Sequence, residues 1–118
     1  MEIRFYQTKD GSEPAIDFLD SLDNKMRAKM IRAIELLEIH GSRLRFPVSE
    51  ELDDGLMELR ATFGGNISRV LYFFIVRNVA ILTNGFIKKT QKTPPNEIAL
   101  AKKYRNDFLR RNHNDNMD

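Results

Sequence analysis

A chain of 118 residues, 42% hydrophobic and 31% charged, is sized and balanced for one compact domain with its own core. It has no cysteine, which excludes a disulfide framework and a thiolate metal site. No apolar run approaches the ~20 residues that cross a bilayer. The formal net charge of +2 conceals an asymmetry. Residues 1–58 carry eight Lys/Arg against thirteen Asp/Glu (−5), whereas residues 59–118 carry eleven against four (+7). Such segregation predicts an acidic face and a basic face, the latter either simply solvated or built for an anionic partner.

In chain order, Met1-Glu2-Ile3-Arg4-Phe5-Tyr6 alternates at once, predicting a first strand that ends near Asp10-Gly11. It lacks a signal-peptide apolar region, so a cytoplasmic location is expected. Ser12 is the expected cap of a short helix with Pro14 in its first turn and Ala15, Ile16, Leu19 and Leu22 on its apolar side. Asp23 or Asn24 caps a second, longer helix. Met26, Met30, Ala33, Ile34 and Leu37 form its stripe, and His40-Gly41 closes it.

Residues 42–55 read as a mixed connector with Pro47 and the acidic run Glu50-Glu51-Leu52-Asp53-Asp54. Three strands follow. Leu56–Ala61 ends in the turn Phe63-Gly64-Gly65-Asn66, Ile67–Val76 is apolar on both faces, and Val79–Lys88 follows a tight turn at Arg77-Asn78. Thr93-Pro94-Pro95 leads into a last helix over about 96–111, with Ile98, Ala101, Phe108 and Leu109 on its buried arc. The order β-α-α-β-β-β-α predicts an α+β domain, helices on a mainly antiparallel sheet, over residues 1–111. Residues 112–118 read as a frayed tail.

Elimination narrows the chemistry. Two histidines, His40 and His113, make neither a metal site nor a serine triad, and no Gly-rich phosphate loop occurs. What remains is basic. Arg60 and Arg69 flank one hairpin, so they lie near each other. Lys88, Lys89 and Lys92 stand at the end of the third meander strand, which returns to the same end of the sheet.

That set suits RNA cleavage without metal. Arginine forks match phosphate oxygens and stabilise a phosphorane. A lysine, ordinarily near pKa of about 10.4, becomes a usable base when cations crowd it. The same residues also suit plain phosphate binding, or edge lysines that discourage sheet association.

Leu56-Met57-Glu58-Leu59-Arg60, Arg69-x-x-Tyr72 and Leu82-x-x-Gly85-Phe86-x-Lys88-Lys89-Thr90-x-Lys92-Thr93-Pro94-x-x-Glu97-Ile98-x-x-Ala101 are similar to the phage-derived Gp49-like group of HigB toxins, in the RelE superfamily. The match spans about residues 44–108. The resemblance implies a RelE-like fold and a metal-free, cofactor-free endoribonuclease that cuts mRNA in the ribosomal A site through the 2′-hydroxyl. It also implies a HigA-like helix-turn-helix antitoxin as partner. Carried over, Arg60, Arg69, Lys88 and Lys92 are the catalytic candidates, with Lys89 in the same basic segment as an RNA contact. Lys102, Lys103 and Arg105 are RNA contacts or an ordinary solvated face. Tyr72 matches the family tyrosine but alternates away from Arg69, so a core role is expected. Tyr104 on the last helix is expected to pack in the core, with stacking on a base as the alternative. Asn84 stands where many members carry histidine, so the lysine that moves the proton stays open. A ParE-like gyrase poison and a non-catalytic RNA-binding module are the alternatives on this fold.

Overall fold

The computed structural model describes residues 1–76, 78–88 and 92–117, of which 113–117 are described by backbone alone. Arg77, expected in a turn, and Lys89, expected at the site, lie outside the described residues. The elements are β1 (Glu2–Phe5), α1 (Pro14–Ser21), α2 (Asn24–His40), a single 3-10 turn (Gly41–Arg43), β2 (Ser49–Asp53), β3 (Leu56–Phe63), β4 (Asn66–Ile75), β5 (Val79–Lys88) and α3 (Pro95–Met117). The α+β architecture is as expected, with one strand more. The sheet order is β1-β5-β4-β3-β2, antiparallel throughout except for β1 alongside β5.

Each helix forms for a local reason. Pro14 takes the first position of α1, where its missing N–H costs nothing. Ser12 is not the cap, because Glu13 occupies that place without a side-chain bond. Ser12 is held instead in the preceding turn by Thr8 and Asp10. Asp23 caps α2 by accepting from the Met26 N–H at 2.9 Å, and Gly41 ends it. Met26, Met30, Ala33 and Leu37 are buried, with Ile34 packed at their margin. The helix α3 runs on past Arg111, where its apolar arc stops.

The sheet separates two apolar layers. On one side α1 and α2 pack over Leu59, Ala61, Val70, Tyr72, Ala80 and Leu82. On the other, α3 covers Leu56, Leu71, Phe73 and Ile81 through Ala101, Ile98, Tyr104 and Phe108. The central strand β4 is therefore covered on both faces, as its continuous apolarity predicts. The presumed connector at 42–55 contains β2, an edge strand whose Glu50, Glu51 and Asp53 disguise it as a loop. Charged edges of this kind block pairing with another chain.

Turns and irregularities set the phase of side chains. Gly64 and Gly65, at φ 61° and 81°, close the β3–β4 hairpin in a left-handed geometry that glycine adopts freely. In the β4–β5 ladder, Tyr72 faces Leu82 but Val70 faces Gly85, so β5 carries an extra residue at Thr83–Asn84. Beyond this bulge the alternation of β5 reverses. Leu82 points to α1 and α2, yet so does Gly85, and Phe86 and Lys88 turn toward the α3 side.

Candidate functional site

The ladder registers bring the sequence-predicted cations to one place. Arg60 pairs with Arg69, Arg69 with Phe86, and Ile67 with Lys88. Residues directly opposite share a face, and so do residues two apart on a strand. Glu50, Glu58, Arg60, Arg69, Phe86 and Lys88 thus all project from the α3 side of the sheet. The basic segment crosses this face at Lys92 and Thr93 before α3 begins.

Beneath the surface lies a buried ionic cluster. Glu58 and Arg69 have no exposed side-chain surface, and their carboxylate and guanidinium stand 3.7 Å apart. Thr93, itself buried, joins them. Its hydroxyl accepts from Arg69 Nη1 at 3.2 Å and donates to Glu58 Oε1. Glu58 Oε2 receives Arg60 Nε at 2.7 Å, and Arg60 Nη2 bonds Glu50 at the rim. Burial pushes the Arg69 guanidinium below its usual pKa, with Glu58 opposing the shift. It remains a cation all the same. Two carboxylates and two guanidiniums are therefore locked together, an arrangement that fixes geometry more than it adds stability.

Above the cluster the site is open. Arg60, 13% exposed, lies under the Phe46 ring, 5.7 Å from its centroid. Its Nη1 makes no hydrogen bond with any described residue. A cavity of about 420 Å³ is lined by Phe46, Glu50, Glu51, Leu52, Arg60, Lys92 and Thr93. Lys92, which lines it, is exposed, and so is Lys88, two strands from Arg60 on the same face of the sheet. This face thus presents Arg60, Lys88 and Lys92, while Arg69 lies one layer below, joined to Thr93 and Glu58 among the described residues.

The predicted cations of α3 are placed differently. Lys102 bonds Asp53 at 2.6 Å, and Arg105 bonds the Asp54 carboxylate at 2.8 Å, tying α3 to the β2–β3 turn. Lys103 instead borders an open groove with Lys9, Tyr104 and Arg110. Tyr104 stacks on Tyr6 with ring centroids 4.6 Å apart, a packing role. Burial and the hydrogen bond to Asp107 raise the Tyr6 hydroxyl to about 12. Tyr72, on the far layer, bonds Ser49 at 2.5 Å and belongs to the core.

Sequence reasoning missed Glu58, Glu50 and Thr93 as site residues. A signal was present, since Glu58 and Arg60 stand two apart in a strand and must share a face.

This arrangement, on this fold, can be compared with known families. The model of the family described as Phage derived protein Gp49-like (DUF891) matches residues 17–106, most of the chain. The chain belongs to this family. The Gp49-like proteins are a toxin-like family of RelE type, for which an antitoxin partner is implied. The matched span begins within α1 and ends within α3, so it contains Glu50, Glu58, Arg60, Arg69, Lys88, Lys92 and Thr93. No curated protein matches the chain. Among the described residues no helix is long and apolar enough to cross a membrane.

Proposed function

We propose that this Gp49-like protein is the HigB-like toxin of a type II toxin–antitoxin pair, a ribosome-dependent mRNA endonuclease restrained by a helix-turn-helix antitoxin. The observation that supports the reading is the placing of Arg60, Lys92 and Lys88 on the one sheet face that holds the buried Glu58–Arg69–Thr93 cluster. A protein that acted only by binding another protein would have no need to fix a guanidinium so firmly beneath an open, cationic rim.

In this reading the 2′-oxygen of a nucleotide loses its proton to a lysine amine of the basic segment and attacks the adjacent phosphorus. The P–O5′ bond then breaks, leaving a 2′,3′-cyclic phosphate and a 5′-hydroxyl. Charge builds on the non-bridging oxygens. Arg60 meets it with its open Nη1 and with the Nη2 that Glu50 releases, and Lys88 and Lys92 add their charges. Arg69 and Thr93 act as positioning residues by holding Glu58, which aims Arg60. Lys103 and the partly engaged Lys102 and Arg105 extend the RNA contact along α3.

Primer extension on mRNA from cells producing the protein is the test. Cuts in phase with codons are expected, falling about 10²–10³-fold in Arg60→Ala, the cost of one oxyanion donor. Gyrase-dependent DNA breaks without mRNA cuts would instead establish the gyrase-poison reading. RNA binding with no cuts would establish the binding-module reading.

A further inference from the structure

Next to the site, at the first turn of α3, stands a carboxyl group that the chemistry above leaves unused. Glu97 is half-buried, and its Oε2 is buried without a hydrogen-bond donor among the described residues. Asn84, on the β5 bulge and 4% exposed, donates its amide to the Glu97 carbonyl at 3.4 Å and stands beside the Glu97 carboxyl. The Asn84 Oδ1 likewise has no donor. Two buried oxygens without donors each cost roughly 1–3 kcal/mol if they stay as acceptors. A proton on Glu97 removes one orphan acceptor outright and creates a donor.

Among the described residues the surrounding charges are few. Lys88 approaches from β5, Asn84 from the same strand, and Tyr104 from one side of α3. Lys88, Asn84 and the positive end of the helix all favour the carboxylate. Burial opposes them, and it prevails: the Glu97 carboxyl is held above its usual pKa. Glu97 stands beside Asn84 and Lys88, which flank Phe86, the partner of Arg69 in the ladder, so it borders the β5 side of the same sheet face.

We propose that Glu97 is the general acid of the reaction, delivering its proton to the departing 5′-oxygen as the P–O5′ bond breaks. The inference rests on the ribonuclease reading above. The proton balance closes: the 2′-hydroxyl proton goes to a lysine amine, and O5′ takes one from Glu97, which becomes a carboxylate stabilised by Lys88. The lysine needs no second role as acid. Glu97 thereby takes a task that the absence of histidine at position 84 leaves open.

The test uses ribosomes programmed with two mRNAs that differ at the cleaved linkage, one natural and one with sulfur replacing the bridging 5′-oxygen. A thiolate leaves without protonation. Glu97→Gln is therefore expected to cut natural mRNA about 10²-fold or more slowly, and the sulfur-linked mRNA at close to the wild-type rate. Equal losses on both substrates, or no loss on either, would overturn the assignment. Should Glu97→Gln fail to fold, the wild-type protein decides alone. Its rate on natural mRNA should fall as pH rises through the Glu97 pKa, and this alkaline limb should be missing on the sulfur-linked mRNA. A limb common to both substrates would refute the proposal. If wild-type protein leaves natural mRNA uncut, the ribonuclease reading itself fails, which is a different result.

Discussion

Arg69 illustrates how far a residue's type can mislead about its place. An arginine opposite another arginine on neighbouring strands suggests a pair of phosphate ligands, yet Arg69 is wholly buried and only Arg60 meets the cavity. The difference comes from Glu58 and Thr93, which together neutralise and hydrogen-bond the inner guanidinium. Removing one member of a buried ion pair leaves the other uncompensated, at roughly 3–5 kcal/mol. Arg69→Met should fall at the low end of that range, because Glu58 keeps Arg60 and Thr93. Urea denaturation should show a lower midpoint with an unchanged slope. A variant as stable as the wild type would mean that Glu58 needs no inner partner.

At the scale of elements, the packing of α1 on β5 depends on one missing side chain. A Cβ at Gly85 would lie 2.2 Å from Cδ2 and 2.7 Å from Cγ of Phe18. Such an overlap forces α1 away from the sheet. Gly85→Ala is expected to destabilise by about 1–3 kcal/mol, the usual cost of overpacking. Adding Phe18→Leu should return part of that loss, giving a coupling energy in a double-mutant cycle. Additive effects of the two substitutions would show that the contact is not what constrains position 85.

The elements differed in how legible they were. The α2 stripe was readable because four buried residues recur at helical spacing. The β4 strand was readable because both its faces are apolar. By contrast β2 was not, since an edge strand needs little apolar surface and Ser49-Glu50-Glu51-Leu52-Asp53 has the composition of a loop. The β5 bulge left no mark either. An extra residue changes facing without changing composition, so the side taken by Lys88 could be known only from the ladder.

Across the whole molecule, the division of charge between the two halves of the chain is only partly a division of surfaces. The acidic run folds against the basic half: Glu50 meets Arg60, Asp53 meets Lys102 and Asp54 meets Arg105. These pairs take up cations that a sequence count would assign to RNA. Lys88 and Lys103 remain at the surface to meet a polyanion. In titrations with a single-stranded oligonucleotide, log affinity should fall linearly with log salt. Lys88→Ala should flatten the slope by about 0.7, the value for one phosphate contact on a single strand. Lys102→Ala should change it less, because Asp53 already holds that ammonium. Equal changes in the two variants would place Lys102 on the RNA as fully as Lys88.

The bulge at Thr83–Asn84 also bears on how β5 finds its partner. A strand that zipped onto β4 without the extra residue would keep the phase set by Leu82 and turn Phe86 and Lys88 toward α1. An ammonium would then be driven into an apolar layer, and Phe18 would lose the gap at Gly85 that it occupies. Lys88 thus penalises the wrong alignment as well as serving the right one. The charge proposed to meet RNA doubles as a proofreading mark for the sheet, rejecting a one-residue slip before the domain is complete.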